Sequence, residues 1–373
     1  MTEFVEGAPR DTAREESPPA QKAQSTDRSR RRFLGFVAGG VAAAAASGWA
    51  GSRLLRGRRV VPAAASTARG APSPGTVVRV THPRVVSSNR RVDAGMALDM
   101  VDAALARLTG QSERAAAWSS LFSPDDVVAI KVNCLAPPPL STHPEIVQAI
   151  ITGLRDAEVP DGNIIIYDRL THELERAGFT PNTGRGVRCF GSEATGYDSY
   201  PSEAGVVGSC LSRIVSELCT AIINVPLVKD HDVAGVSIAL KNHFGSINNP
   251  NKQHENQCCP QVADVNLFDP IRSKQRLIIA DALIVTYDGG PAYKPNTSAQ
   301  YNGILAATDP VALDAVGWDL IEGLRRRAEL PTLAEEGREP KYISVAADED
   351  HHLGIADLAR IHGVDLDLGG EAA

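Results

Sequence analysis

With 373 residues, 43% of them hydrophobic and 22% charged, the chain has apolar material for a sizeable core and too little charge for general disorder. That length holds one large or two ordinary domains. The formal charge is −7, and it becomes −12 without residues 1–65, which hold 11 of the 38 Lys/Arg and 6 of the 45 Asp/Glu. A balance that acidic excludes nucleic acid and anionic lipid as natural partners.

The first 27 residues are polar, contain Pro and Glu and lack periodicity, so an unstructured tail is expected there. Next comes Ser29-Arg30-Arg31-Arg32-Phe33-Leu34-Gly35, leading into a run of small apolar residues to Ala50. Paired arginines followed by Phe-Leu resemble a twin-arginine (Tat) export signal, with Gly35 where a lysine often stands. The apolar stretch, about 18 residues and rich in Ala and Gly, is at the lower limit for spanning a bilayer. This layout predicts a signal and linker over residues 28–65. It also predicts the twin-arginine translocase as a partner, a periplasmic or cell-envelope address, and membrane contact only through the N-terminus. Ala-rich cleavage sites stand near Ala46 and at Ala63-Ala64-Ala65; a retained anchor is the alternative. The arginines from Arg28 to Arg59 then serve targeting.

The folded part is expected over residues 76–366. Thr76 to Val80 reads as its first strand, and Ala94 to Leu108 as an amphipathic helix with Asp93 as N-cap. A short helix is expected over Glu113 to Leu121. The run Asp126-Val-Val-Ala-Ile-Lys-Val-Asn133 is almost continuously apolar, as a strand buried on both faces must be. Thr142 and Glu145 have capping-box spacing at the head of a helix running to Asp156. Asn163 to Asp168 is the next buried strand. Strand, helix and strand form a βαβ unit, so an α/β fold with a mixed, largely parallel sheet and flanking helices follows. Ligands in such sheets bind beyond the C-terminal strand ends, which gathers Lys131, Asn133 and Asp168 at one rim. Further on, Thr171 to Phe179 and Leu211 to Cys219 read as short helices. Ala221 to Val228 is a buried strand running into Lys229, and Leu277 to Thr286 another, interrupted by Asp281 and followed by Gly289-Gly290-Pro291. Ile304 to Ala307 is a short strand, and Asp309-Pro310 opens a helix to Arg327. Tyr342 to Ala347 is a short helix and Leu358 to Leu366 an edge strand.

Chemistry concentrates between Lys229 and Pro260. This stretch holds Lys229, Lys241, Lys252, the pair Cys258-Cys259 and three of the nine histidines, His231, His243 and His254. Val233, Val236 and Leu240 have helical spacing, which predicts one helix delivering Lys241, Asn242 and His243 at its C-terminal end. Imidazole, carboxylate and thiolate nominate His231, Asp232, His243, His254, Cys258 and Cys259 as ligands for a transition metal, although no recognised ligand spacing occurs. The plain alternative for each histidine is a solvated or hydrogen-bonded ring. Lys131, Lys241 and His254 are the candidate acid–base groups, because burial lowers a lysine's pKa and fits it for proton abstraction, Schiff-base chemistry or anion holding. Against this stands an ordinary helix-end lysine facing the helix dipole. Asn133, Asn242, Asp281, Gly289 and Gly290 are candidate ligand contacts. Asp281 inside an apolar strand requires a partner, either a site lysine or a structural contact. The other cysteines, Cys134, Cys189, Cys210 and Cys219, read as buried small hydrophobes or structural disulfides, and no Cys-x-x-Cys or iron–sulfur run is present.

Several of these pieces, in this order, resemble the domain-of-unknown-function family 362. They are Val127 to Asn133, Thr142-His143-Pro144, Leu240-Lys241-Asn242 with Gly245, His254, Asp281 with Gly289-Gly290-Pro291, Thr308 to Ala312, and His352-Leu353-Gly354. The resemblance covers roughly Val77 to Val364. Some members of that family carry ferredoxin-type cysteine clusters, which this chain lacks, and the family is distantly similar to nickel-pincer lactate racemases. Three expectations stand side by side: an exported cofactor- or metal-dependent enzyme, a non-catalytic metal- or ligand-binding protein, and a redox partner using Cys258-Cys259.

Overall fold

The structure, a computed structural model, describes residues 75–369. The tail, signal and linker expected over residues 1–65 lie outside the described residues. The strands in chain order are Thr76–Thr81 (β1), Val128–Lys131 (β2), Ile164–Tyr167 (β3), Arg188–Cys189 (β4), Ser202–Ala204 (β5), Val207–Ser209 (β6), Ala221–Asn224 (β7), Leu227–His231 (β8), Gly235–Ser237 (β9), Gln275–Thr286 (β10), Ser298–Ala307 (β11) and His362–Asp367 (β12). Ten of them form one sheet in the order β12-β1-β11-β10-β7-β2-β3-β4, with β8 paired to β10 and β9 to β8; β5 and β6 form a separate hairpin.

From β10 through β7, β2 and β3 to β4 every pairing is parallel, while β11 runs antiparallel to both β1 and β10. The mixed, largely parallel sheet expected from the sequence is therefore present. β2, β3 and β7 are buried at every position. Their Val/Ile runs lack a polar alternation because helices cover both faces. Ala129, Ile165 and Ile222 pack into one core, and Val128, Ile130, Ile164, Ile166 and Ile223 into a second on the opposite face.

The connectivity positions the site. From β2 the chain steps outward to β3 and β4, then returns to place β7 on the other side of β2. At that reversal Lys131 lies in register with both Tyr167 and Asn224. Loops leaving the two sides of such a reversal diverge, and a crevice opens beyond the C-terminal strand ends.

Two long helices start as their caps predict. Asp93 accepts from the backbone N–H of Met96 at the head of Ala94–Thr109, and Asp309 accepts from Val311 and Ala312 at the head of Pro310–Arg327. Elsewhere tertiary contacts override local signals. The N-cap of Pro144–Asp156 is His143, not Thr142. The Thr142 hydroxyl accepts from the Asn133 N–H and donates to the Val225 carbonyl, tying two strand ends together. The run Ala221 to Val228 divides into β7 and β8 at Val225-Pro226, since proline cannot continue a ladder. Leu211 to Cys219 keeps only a π-helical turn, Ile214–Leu218.

The largest departure is at Val233 to Leu240. Gly235–Ser237 is a strand that folds back on β8, and only Ala239–Asn242 is helical. Gly235 makes the turn at φ +77°, where a Cβ would lie 2.1 Å from the Arg338 carbonyl oxygen. Gly235–Ser237 is buried at every position, so its apolar spacing reflected general burial and not one face of a helix. Among the described residues no helix is long and apolar enough to cross a membrane.

Candidate functional site: a lysine-lined cavity

Beyond the ends of β2, β3 and β8 lies a cavity of about 480 Å³, lined among others by Lys131, Asn133, Asp168, Lys229, Lys241, Asn242 and His254. Its three lysines are 1%, 1% and 6% exposed for Lys131, Lys229 and Lys241. Lys131 is the last residue of β2 and Lys229 the middle of β8, while Lys241 sits in the Ala239–Asn242 turn. Buried ammonium groups are costly unless paired, so their partners define the site.

Lys131 is fully occupied. Its Nζ donates to Asp168 Oδ1 at 2.8 Å, to the Val132 carbonyl at 2.6 Å and to Asn242 Oδ1 at 3.3 Å. Asp168 also accepts from the backbone N–H groups of Cys134 and Arg169, which fixes the carboxylate in place. Gly245 passes over this pair; a Cβ there would lie 2.7 Å from Lys131 Nζ and 2.8 Å from Asp168 Oδ1.

Lys229 and Lys241 differ. Lys229 Nζ donates to Asn133 Oδ1 at 3.0 Å, and Lys241 Nζ meets His254 Nε2 at 3.1 Å. No carboxylate among the described residues forms an ion pair with either. Burial, with the neighbouring Lys241 charge added, pulls Lys229 down to about 8. Burial likewise pulls Lys241 to about 8, against the opposing influence of Cys258 and Asp232. A chain of amides links the two ends of the site. Asn133 Nδ2 donates to Asn242 Oδ1, and Asn242 Nδ2 donates to Asn224 Oδ1.

His254 has a defined tautomer. Its Nδ1 lies 3.0 Å from the Pro250 carbonyl, which only accepts, so Nδ1 carries the proton and the Nε2 lone pair faces Lys241. Burial, then the Lys241 charge, lowers its pKa. His231 stacks on it at 5.5 Å between ring centroids, and burial and Lys241 press His231 to about 2. The His231 ring is therefore neutral, its Nδ1 accepting from the Val233 and Ala234 N–H groups.

All three candidate acid–base residues, Lys131, Lys241 and His254, meet in this one cavity, together with Asn133 and Asn242. The remaining contact candidates do not line it. Asp281 is fully buried and pairs with His143, taking its backbone N–H at 2.9 Å and its Nδ1 at 2.7 Å, which fastens the Pro144–Asp156 helix to β10. Gly290 serves close approach: its N–H donates to Asp230 Oδ2, and a Cβ would lie 2.0 Å from the Asp230 carbonyl. Gly289 turns the chain at φ +72°, and only Pro291 of that trio reaches the cavity wall.

The six nominated metal ligands are not brought together. His231, Asp232 and His254 line the cavity, whereas His243, Cys258 and Cys259 do not. His243 is fully buried, with its ring nitrogens held by Gln275 at 2.8 Å and Ser246 at 3.3 Å. Burial raises the pKa of both adjacent thiols, the reverse of what a thiolate ligand needs. Among the described residues no group of three or more His, Cys, Asp or Glu side chains is placed to hold a metal ion. The residues do not fit the expected ligand set. All six thiols are unpaired, so of the two readings offered for the other cysteines the buried small hydrophobe holds for Cys134, Cys189 and Cys219, and Cys210 is half-buried.

The structure gives roles to residues for which the sequence had named none, among them Asp168, which it had only gathered at the rim. Lys229 completes the lysine trio and Asp168 neutralises Lys131. Asp314, fully buried in the Pro310–Arg327 helix, accepts from the Ala239 and Leu240 N–H groups and so holds the turn that carries Lys241 and Asn242. For Lys229 the signal was its place directly after the apolar run Ala221 to Val228, and for Asp168 its position at a strand's C-terminal end. For Asp314 it was a carboxylate on the apolar face of a helix.

Fold and cavity together define a doubly wound α/β protein with a buried cationic cavity at its strand-order reversal. Sequence comparison supplies the family: the chain belongs to the domain-of-unknown-function family DUF362, whose match covers residues 128–319. That span contains every residue lining the cavity. A comparison with curated proteins gives no match.

Proposed function

We propose that this is an exported protein whose cavity binds a small anionic molecule and moves a proton on it through the Lys241–His254 pair. The observation that carries this reading is the convergence of three buried lysines on one cavity, of which only Lys131 has a carboxylate partner among the described residues. In a site screened from water, uncompensated ammonium groups attract an anion far more strongly than they would at a surface. The volume of about 480 Å³ suits a small molecule.

Proton transfer follows from the second pair. A lysine brought to about 8 lies near neutral pH, where donor and acceptor forms are both accessible. His254 presents a lone pair to it, so the proton has a resting place 3.1 Å away. Lys229 then holds the ligand, while Lys131, its donors already engaged, keeps Asn242 and through it Asn133 in place. Export is supported by the paired arginines and apolar run at residues 29–50. Replacing Arg30 and Arg31 together by Lys should keep the protein in the cytoplasm, as cell fractionation would show.

Calorimetric titration with small carboxylates and phosphate tests the binding step. Affinity that Lys241→Met and Lys229→Met each weaken at least about tenfold supports it, and absence of binding by any anion overturns it. The proton step is read by NMR in heavy water. Exchange of a carbon-bound hydrogen beside a bound carboxylate, lost in Lys241→Met, marks an enzyme; binding without exchange marks a non-catalytic binder.

A further inference from the structure

Charge inside the cavity does not balance. Lys131 is matched by Asp168 at 2.8 Å and Arg169 by Glu173 at 2.6 Å. Two cations remain, Lys229 and Lys241. Facing Lys229 are Asn133, the occupied Asp168, Lys131, Lys241 and the Cys134 thiol. Facing Lys241 are His254, the Phe244 ring at 4.5 Å, Cys258 and Asp232. The Asp232 side chain is 63% exposed and stands at the solvent side of the cavity. Both thiols are buried and keep their protons. Among the described residues, therefore, neither lysine forms an ion pair with a carboxylate, and the exposed Asp232 acts on Lys241 without pairing with it.

Resting on the anion-binding reading of this cavity, we propose that its ligand is a small dianion, one negative charge for each of Lys229 and Lys241. A monoanion would leave one buried ammonium uncompensated, and such a charge is expensive. The two lysines approach from different elements, β8 and the Ala239–Asn242 turn, and a hydrogen bond from Asn133 Nδ2 to Asn242 Oδ1 joins their neighbours. Each lysine thus offers one ammonium beside a hydrogen-bonding side chain, Asn133 for Lys229 and His254 for Lys241. The cavity of about 480 Å³ is within the range of small-molecule sites. That suits a dicarboxylate or a phosphorylated compound of few carbons, two sources of the same charge.

Calorimetry on the intact chain distinguishes the charge states by comparing succinate with succinamate, which has the same length but one charge fewer. Malonate and glutarate extend the length series, and inorganic phosphate supplies a compact dianion. The expected result is at least about tenfold tighter binding of a dicarboxylate than of its monoamide, with the preference erased in both Lys229→Met and Lys241→Met. Phosphate binding more tightly than every dicarboxylate assigns the compact source, and the reverse assigns the extended one. Equal binding of acid and monoamide, with phosphate no tighter than either, overturns the dianion while leaving anion binding intact. No binding by any probe removes the anion reading itself. The comparison within the unsubstituted protein stands even where a variant fails to fold.

Discussion

Lys241 shows how environment makes a functional group out of an ordinary one. Burial moves its pKa from 10.5 to about 8. The unfolded chain keeps that proton up to about 10.5, whereas the ligand-free folded chain releases it near 8. The folded state therefore gains on the unfolded one as pH rises across that window, by about 3 kcal/mol. Lys241→Met lacks this gain. The stability of the unsubstituted protein relative to the variant should grow by about that amount between roughly pH 7 and pH 11, as urea unfolding at several pH values would show. A flat difference would place the ammonium in water. Anion affinity should follow the opposite course, steady below about pH 8 and falling above it as Lys229 and Lys241 lose their charge.

At the scale of elements, the site depends on short pieces pinned from afar. The helical turn Ala239–Asn242 is four residues long, too short to hold itself. Asp314 stabilises it by accepting two of its backbone N–H groups at 2.7 and 3.3 Å. Asp314→Ala leaves those buried donors unpaired and should cost about 1–3 kcal/mol. It should also weaken anion binding, since Lys241 and Asn242 sit on that turn. Unchanged denaturation midpoint and affinity would show that the turn is held by something else. Asp281→Asn is the contrasting case. It loosens the fastening of His143 to β10 and should lower stability by about 1–3 kcal/mol. Because Asp281 lies outside the cavity wall, anion affinity should stay the same. A loss of affinity at unchanged stability would return Asp281 to the site.

Across the whole molecule, the free thiols distinguish this chain from a disulfide-stapled one. Unfolding without reductant should expose six titratable thiols. A count of four would reveal a single disulfide and contradict this arrangement. The core has no need of such a staple, because the sheet is covered on both faces by apolar clusters.

Features that rest on interactions within a few residues were legible before any fold was known. The apolar runs Val128–Lys131 and Ile164–Tyr167 specify strands buried on both faces, and Asp93 and Asp309 specify helix starts within their own turns. Strand-end position alone nominated Lys131, Asn133 and Asp168 for one rim. Only tertiary structure decided the remainder, because it turns on pairs far apart in the chain. Thr142 abandons its capping role for strand ends at Asn133 and Val225, and within Val233 to Leu240 the stretch Gly235–Ser237 pairs with β8 instead of continuing a helix. Asp281 finds His143 rather than a lysine, and His243 turns to Gln275 rather than to a metal. The cationic character of the cavity is likewise a tertiary property. An acidic chain gathers three lysines in one buried place, and which of them lacks a carboxylate depends on Asp168 lying 37 residues from Lys131 in sequence and 2.8 Å from it in space.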